Sequence, residues 1–168
     1  MHDRPQIRPS VETARRMLAE GRRKLRRQHD QGSPAIQVCT LLTDLLDAVV
    51  MHLHESALED LGEAGSDGLG SHTALVAHGG YGRRDVAPYS DVDLLFLFGR
   101  EGDKSTEFIA GVLHPLWDMG FEVGHSSRTP AESINLARGD LKSCTAMMDA
   151  RFLAGQCSFF DEFVVRLF

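Results

Sequence analysis

The sequence predicts a mixed α+β domain, in which a small sheet is flanked by helices and preceded by a helical segment. Apolar residues recur at helical spacing through the first 61 residues, and two short β-prone runs then enclose a glycine-rich turn. Further helical and strand patterns alternate along the rest of the chain. A chain of 168 residues has the usual size of one domain, and 42% hydrophobic residues suffice for a core, which excludes wholesale disorder.

Two helices are predicted in the N-terminal part. From Pro9 to His29 apolar residues recur at helical spacing, and the sequence GSP at 32–34 then breaks the chain. From Ile36 to about Leu61 apolar residues fall in pairs about four apart, which is typical of a core helix. We therefore assign residues 1–61 to a helical N-terminal preface, 62–71 (GEAGSDGLGS) to a flexible loop, and 72–168 to the core of the domain.

Two strands open this core. The runs TALVAH at 73–78 and DVDLLFLF at 91–98 are short, apolar and rich in β-prone residues, and the glycine-rich turn lies between them. A helix is predicted over 104–119, where Pro115 should kink or shorten it because proline cannot donate a helical hydrogen bond.

A third strand and another helix follow. The strand is predicted at 121–127, and Pro130 can occupy the first turn of a helix that continues to about Thr145. The tail from Met147 is apolar with two charged breaks.

Charge and composition exclude several classes of protein. A net charge of −6 argues against a general binder of nucleic acid or anionic membranes. The cysteines at 39, 144 and 157 lack the spacing of a disulfide scaffold or a zinc site, so a reducing compartment fits. The first residues lack an apolar signal core, and no stretch approaches the roughly 18 consecutive apolar residues of a membrane span. We expect a cytoplasmic protein whose partners include neither nucleic acid nor membrane.

The first helix nevertheless carries a basic face. Its members are Arg15, Arg16, Arg22, Arg23, Lys24, Arg26 and Arg27. Such a face can contact RNA or a nucleotide, but without interleaved aromatic residues it is more often simply solvated.

Two acidic residues begin the second strand. Because side chains alternate along a strand, Asp91 and Asp93 project to the same side, about 6.5–7 Å apart. The apolar run LLFLF that follows anchors the strand in a core and leaves the acids at its mouth, where buried negative charge requires a cation. Oxygen ligands with open positions suit Mg²⁺, which keeps waters and accepts substrate phosphates.

The turn before this strand has the composition of a phosphate-binding loop. Gly79 and Gly80 allow backbone amides to approach a phosphate closely, and Arg83 can add hydrogen-bond donors to it. Ser90 can either bond the phosphates or cap the entry to the strand. A glycine turn or a pair of acids is weak evidence alone, but folding requirements do not readily explain both at this spacing.

Together these residues carry a resemblance. The run GGYGRRDVAPYSDVDLLFLF resembles the signature of the DNA polymerase β-type nucleotidyltransferases, and specifically the N-terminal domain of bacterial PII uridylyltransferase/uridylyl-removing enzymes. The segments LWDMGFEVGHSSRT at 116–129 and ARGDLKSCTAMMDARFLAG at 137–155 resemble later blocks of that family, and AEGRRKLRRQHDQGSPAIQVCTLLTDLLDAVV resembles its helical preface. The pair Arg84-Asp85 departs from the Gly-Glu that the family more usually has.

The resemblance implies a small nucleotidyltransferase palm sheet and a division of roles. Gly79 and Gly80 would hold the triphosphate of UTP, and Asp91 and Asp93 would bind magnesium, while UMP passes to a tyrosine of the PII nitrogen-regulatory protein. Two alternatives remain: a nucleotidyltransferase with another donor or acceptor, such as an adenylyltransferase, and a non-catalytic module that binds a nucleotide or a partner.

A third carboxylate normally completes such a site, and two residues are candidates. Glu122 lies on the strand after the helix that follows the acidic pair, and Asp149 lies in an acid-x-Arg element. Glu122 is slightly favoured; the structural alternatives are an exposed strand residue and an acid paired with a nearby arginine. The resembled enzymes also contain phosphohydrolase and regulatory domains whose motifs are absent here, so we expect an incomplete catalytic core, part of a longer enzyme.

Overall fold

The computed structural model describes residues 8–62, 68–100 and 106–168. Within these ranges it is an α+β structure with seven helices and one four-stranded sheet, which confirms the predicted class. The elements in chain order are α1 (Pro9–Asp30), α2 (Ala35–Asp60), β1 (Thr73–Ala77), α3 (Gly79–Gly82), β2 (Val92–Phe98), α4 (Thr106–Asp118), β3 (Val123–Arg128), α5 (Pro130–Gly139), α6 (Leu141–Met148), β4 (Arg151–Gly155) and α7 (Cys157–Leu167).

The sheet is mixed, with the strand order β3-β2-β1-β4. Strand β1 pairs antiparallel with both β2 and β4, whereas β2 and β3 are parallel and are connected through α4. In the parallel pair Val92 lies opposite Val123 and Asp93 lies opposite Gly124. The acidic end of β2 is therefore flanked by the end of β1 on one side and the start of β3 on the other.

Each face of the sheet is covered by its own layer of helices. Leu94 and Phe96 of β2 belong to the core formed with α1, α2 and α4, while Leu95 and Leu97 belong to the core that includes residues of α5, α6 and α7. Because successive strand residues alternate, Asp93 lies on the same face as Leu95 and Leu97. The segment predicted as the preface thus supplies α1 and α2 of one layer, which α4 completes, and the C-terminal helices supply the other.

Helix α2 is the central helix of the first layer. Its length and its mean hydropathy of 1.5 over an 18-residue window are sufficient to cross a membrane. In the fold, however, Leu46, Val49, Val50 and Leu53 are fully buried in the core shared with α1, α4 and the sheet. Packing accounts for the apolar character of these residues.

Pro115 does not shorten α4 as expected, since the helix continues to Asp118. A proline has no N–H to donate to the carbonyl four residues earlier, which here is that of Gly111. The Nη2 group of Arg8 donates a hydrogen bond of 3.3 Å to this carbonyl. A side chain just before α1 thus replaces the hydrogen bond that the proline removes from α4.

The C-terminal part differs most from the sequence prediction. The single helix expected from Pro130 to about Thr145 is divided into α5 and α6 at Asp140, whose carboxylate accepts a hydrogen bond from the Ser143 N–H and caps α6.

Strand β4 was not predicted, and β3 begins at Val123, so Glu122 immediately precedes it. In the predicted 62–71 loop, residues 62 and 70–71 lie in turns and residues 68–69 in a short π-helical turn, while residues 63–67 lie outside the described ranges.

Candidate active site

The carboxylate of Asp93 lies between two glycines on neighbouring segments. A Cβ atom placed on Gly79 would lie 2.9 Å from Asp93 Oδ2, and one on Gly124 would lie 2.5 Å from Oδ1. Gly79 also has a φ of +59°, which favours glycine. A larger residue at either position would force the carboxylate to move, so the two glycines permit the position that Asp93 has in this structure.

The glycine turn predicted from the sequence closes into the short helix α3. The backbone N–H of His78 donates to the carbonyl of Asp93 at 3.2 Å, which fixes the turn to the acidic strand. Within the turn, Arg83 N–H donates to Gly79 O and Asp85 N–H donates to Gly80 O, each at 3.1 Å. These hydrogen bonds hold Gly79 and Gly80 beside Asp93.

A cleft of about 680 Å³ lies between this turn and α6. Gly79 and Gly80 line one side, with Arg83 and Asp149, and α6 contributes Lys142 and Thr145 among others. Because Gly79 both lines the cleft and contacts Asp93, the cleft adjoins the acidic end of β2. Lys142 and Thr145 were not among the predicted site residues.

Arg83 is fixed in this cleft by two carboxylates. Its Nη1 donates to Asp149 Oδ2 at 2.6 Å and its Nε donates to Asp85 Oδ2 at 3.2 Å. The hydrogen bond to Asp149, followed by that to Asp85, raises the pKa of the exposed Arg83 guanidinium. Asp149 is thus paired with an arginine, as one of the two alternatives for it predicted.

The two candidates for a third carboxylate lie in different surroundings. Glu122 is exposed and lines a second cavity together with Ser90, whereas Asp149 lies in the cleft against Arg83. Among the residues that the structure describes, no group of three or more His, Cys, Asp or Glu side chains is placed to hold a metal ion. Among these described residues, no third carboxylate therefore joins the exposed Asp91 and the half-buried Asp93 in a metal-binding group.

Ser90 closes the turn that leads into β2. Its hydroxyl accepts a hydrogen bond from the Ala87 N–H at 3.1 Å, and its own N–H donates to the Ala87 carbonyl at 3.0 Å. Tyr89 in the same turn has a φ of +71°, and with Pro88 before it this is the pattern of a type II turn. Of the two roles left open for Ser90, these bonds support a cap.

Arg84 marks the point at which the sequence departs from the resembled signature. Its φ of +66° is in the region that favours glycine, which is the residue the resembled family more usually has there. Its guanidinium forms an ion pair with Asp44 and lies 3.7 Å from Asp47, both on α2. These ion pairs hold the Arg84 side chain against α2.

The imidazole of His78 is next to the acidic strand. Burial lowers its pKa, an effect that Asp93 opposes by favouring the charged form and that Arg128 reinforces. Among the described atoms, Nδ1 is buried without a hydrogen-bond partner. Burial thus favours the neutral form of His78 beside the carboxylate.

An ion pair supports the glycine turn from the side of the helical layer. Asp47 on α2 accepts hydrogen bonds from Arg151 Nη1 and Nη2 at 2.8 and 3.0 Å. Arg151 also donates to the carbonyls of Tyr81 and Gly82, each at 3.3 Å, and its guanidinium lies 5.4 Å from the centroid of the buried Tyr81 ring. Sequence reasoning did not identify this pair, because its members are 104 residues apart.

The fold and these residues define an α+β domain with an acidic strand end beside a glycine-lined cleft. Comparison with protein-family models gives no match. Curated proteins similar to this chain are enzymes, each called a bifunctional uridylyltransferase/uridylyl-removing enzyme. The chain is 36% identical over 162 residues to that of Phenylobacterium zucineum, covering 96% of this chain and 17% of the relative.

Two further relatives carry the same name. The chain is 41% identical over 121 residues to the enzyme of Bradyrhizobium sp. strain ORS 278, covering 71% of this chain and 13% of the relative. It is 36% identical over 158 residues to that of Erythrobacter litoralis, covering 92% and 17% respectively. The chain thus spans 13 to 17% of the length of these relatives. It is a homologue of one segment of the bifunctional uridylyltransferase/uridylyl-removing enzymes, which confirms the family resemblance.

Proposed function

We propose that this chain provides a magnesium-dependent nucleotidyl-transfer site that moves UMP from UTP to a tyrosine of a PII-type regulatory protein. The observation that carries the proposal is the placement of the Asp93 carboxylate against Gly79, which itself lines the cleft. A phosphate-bearing ligand in this cleft would lie next to the acidic end of β2. The name that these relatives carry supports uridylyl transfer as the reaction class.

The residues present fit a magnesium ion shared with a phosphate ligand. Mg²⁺ is commonly bound through one or two carboxylates, with waters and substrate phosphates completing its coordination. Asp91 and Asp93 supply such carboxylates, and the glycines beside Asp93 leave its oxygens unobstructed by Cβ atoms. Magnesium, when bound, neutralises charge on the phosphates and lowers the pKa of an attacking hydroxyl.

The residues of the cleft have complementary tasks in this proposal. Gly79 and Gly80 allow the triphosphate to approach the backbone, and Lys142 on the opposite side supplies a positive charge. Asp85 and Asp149 hold the Arg83 side chain in one orientation. A phosphate that binds the remaining N–H donors of Arg83 therefore does not have to restrict the side chain further, which lowers the entropy cost of binding. The chain thereby binds and orients the phosphates.

One observation favours the alternative of binding without transfer. Fewer than three potential metal ligands gather at any point in the described residues. A site with two acids can bind a magnesium nucleotide and still lack the complete set for catalysis. Binding and transfer must therefore be measured separately.

Binding is tested by thermal unfolding with Mg²⁺ and each of UTP, ATP, CTP and GTP. We expect MgUTP to raise the melting temperature most, since a ligand that binds only the folded state stabilises it. The double variant Asp91→Asn, Asp93→Asn should lose this shift, while the control Asp118→Asn, Asp161→Asn, at exposed acids on α4 and α7, should keep it. Equal shifts in the wild type and the first double variant would contradict the metal site.

Transfer is tested with UTP labelled in its α-phosphate and a PII-type protein as acceptor. Label on the acceptor that is lost when its tyrosines are replaced by phenylalanine would support the full proposal. A MgUTP shift without any labelled protein would favour the binding module, and a larger shift with ATP would favour an adenylyltransferase-like donor.

A further inference from the structure

The basic face of α1 remains unexplained by the proposed reaction. Residues 15–27 contain seven basic residues and one acidic residue, a local net charge of +6 in a chain whose total is −6. Arg22 and Arg26 on this helix are exposed, and no ion pair joins either of them to a carboxylate in the part of the chain that the structure describes. A cluster of arginines in a protein of negative net charge attracts anionic groups locally.

Arg22 and Arg26 border a cavity of about 590 Å³, distinct from the cleft between α3 and α6. Its walls are mainly apolar and include Leu18, Leu25, Val38, Leu42, Leu46 and Val86. The guanidinium of Arg22 lies 5.1 Å from the centroid of the Phe121 ring, which places this charge at the cavity. The cavity therefore combines room for an apolar side chain with positive charge at its edge.

This cavity reaches the acidic end of β2. Two of its lining residues, Ser90 and Glu122, flank Asp91: Ser90 precedes it in the chain, and the Glu122 carbonyl accepts a hydrogen bond of 2.9 Å from the Val92 N–H. The glycine-lined cleft approaches Asp93 from the neighbouring turn. The cavity therefore lies beside the segment that carries Asp91, and the cleft lies beside Asp93.

Tyr89 at the edge of the cavity is unusually placed. Its side chain is fully exposed, with no burial to compensate for an aromatic ring in water, and its φ of +71° is unfavourable for a residue with a Cβ. Strained backbone of this kind concentrates at functional positions. An exposed tyrosine ring beside arginines is also a common composition for the centre of a protein interface.

We infer that Arg22, Arg26, Tyr89 and the adjoining cavity form a docking surface for an acidic protein segment that inserts an apolar or aromatic side chain. Carboxylates of the segment would pair with the two arginines, and its apolar side chain would enter the cavity next to Asp91. That this partner is the acceptor rests on the proposed function. The docking itself depends only on the charge, shape and apolar lining of the surface.

The test is a fluorescence anisotropy titration of the whole chain with two short labelled peptides. One peptide carries a tyrosine flanked by aspartates and glutamates, and the other replaces these acids with asparagines and glutamines. We expect the acidic peptide to bind and the neutral one to bind about tenfold more weakly or not at all. Failure of the acidic peptide to bind, or equal binding of both, would overturn the inference.

Two double variants of α1 show whether the peptide binds at the cavity. Arg22→Ala with Arg26→Ala should weaken the acidic peptide by about tenfold, because both arginines border the cavity. Arg23→Ala with Arg27→Ala removes the same charge from the same helix at exposed positions outside the cavity lining, and should have a much smaller effect. Equal losses in the two double variants would indicate non-specific attraction to α1 and would overturn the inference.

Peptide binding by Tyr89→Gly and competition with RNA complete the test. Tyr89→Gly removes the ring at a backbone conformation suited to glycine, so weaker peptide binding by a folded protein supports the surface, and unchanged binding excludes Tyr89 from it. A single-stranded RNA that displaces the peptide with higher affinity would assign the basic face to nucleic acid instead. Peptide binding requires no nucleotide, so failure of docking is distinguishable from failure of the MgUTP shift.

Discussion

Arg151 on β4 forms two hydrogen bonds with Asp47 on α2 and reaches the carbonyls of Tyr81 and Gly82 in the glycine turn. The pair connects the helical N-terminal layer to the turn beside the acidic strand. The side chains of Asp47 and Arg151 are 12% and 23% exposed, so their interaction is only weakly screened by solvent. The preface thereby contributes to the geometry of the candidate site as well as to the core.

Replacing Asp47 with asparagine should loosen this turn. The substitution leaves Arg151 without its charged partner, and we expect the free energy of unfolding to fall by about 3 kcal/mol, the lower end of the range for a broken buried pair. Amide hydrogen exchange should accelerate at Gly82, Arg83 and Asp85, whose N–H groups are bonded within the turn. Denaturant unfolding and exchange mass spectrometry measure the two effects.

Asp60→Asn is the matched control for this prediction. Asp60 lies on the same helix and pairs with Arg8, but this pair is more exposed, and no hydrogen bond or ion pair of the described residues joins it to the glycine turn. It should leave exchange in residues 79–85 unchanged. Acceleration by both variants would indicate general loosening of α2.

A second prediction concerns Gly124. Alanine would place its Cβ 2.5 Å from Asp93 Oδ1, and a carboxylate can rotate away more readily than the strand can move. We therefore expect Gly124→Ala to retain the fold, with a loss of about 0.5 kcal/mol as is typical of surface substitutions, but to abolish the melting shift with MgUTP. Differential scanning fluorimetry with and without MgUTP measures both quantities.

Gly139→Ala provides the comparison, since a Cβ there would meet no atom within 4 Å. It should keep the full MgUTP shift. A full shift in Gly124→Ala as well would show that the position of the Asp93 carboxylate is unimportant for binding.

Local patterns predicted much of this fold. Helices α1 and α2 and strands β1 and β2 begin and end within one or two residues of the sequence prediction. The two helices each bury one apolar face, and the two strands each bury a whole apolar run, so the local sequence pattern marks their limits. Strand β4 was missed because its pairing with β1 joins distant segments, and its five residues RFLAG carry no alternation of their own. The Gly139-Asp140 break was also missed, although glycine followed by a capping aspartate is a signal for a helix end and a new start.

The site was predictable only where its residues are close in sequence. Asp91, Asp93, Gly79 and Gly80 stand within fifteen residues and could be identified from their spacing. The contribution of Gly124 depends on the parallel register that places it opposite Asp93, and that of Lys142 depends on α6 lying against the turn. Neither register nor helix docking is encoded in a local pattern.

Lys142 supplies a third prediction. It lines the cleft opposite Gly79 and Gly80, and a hydrogen bond to a charged phosphate contributes about 1.5 kcal/mol, so Lys142→Ala should weaken MgUTP binding by about tenfold. Isothermal titration calorimetry measures the affinity. Lys24→Ala on α1 removes an identical exposed charge that lines neither cavity, and it should bind MgUTP like the wild type. Unchanged affinity in Lys142→Ala would remove this residue from the proposed site.

Acid stability should depend on His54. This histidine is buried on α2, edge-on to the Phe108 ring at a centroid distance of 5.4 Å, and burial lowers its pKa from 6.5 to about 4. As the pH falls from 6.5 to 4, the unfolded chain therefore gains a proton at His54 that the folded chain does not bind. The free energy of unfolding should decrease through this window, by about 3 kcal/mol in total from this group.

Removing the imidazole should remove this part of the acid sensitivity. His54 Nε2 is buried without a hydrogen-bond partner among the described atoms, so His54→Leu loses no such bond and should fold. Denaturant unfolding of the wild type and the variant from pH 7 to pH 4.5 should give a flatter pH dependence for His54→Leu. His29→Leu, at an exposed histidine, should retain the wild-type slope. A His54→Leu slope equal to that of the wild type would mean that other groups cause the acid sensitivity.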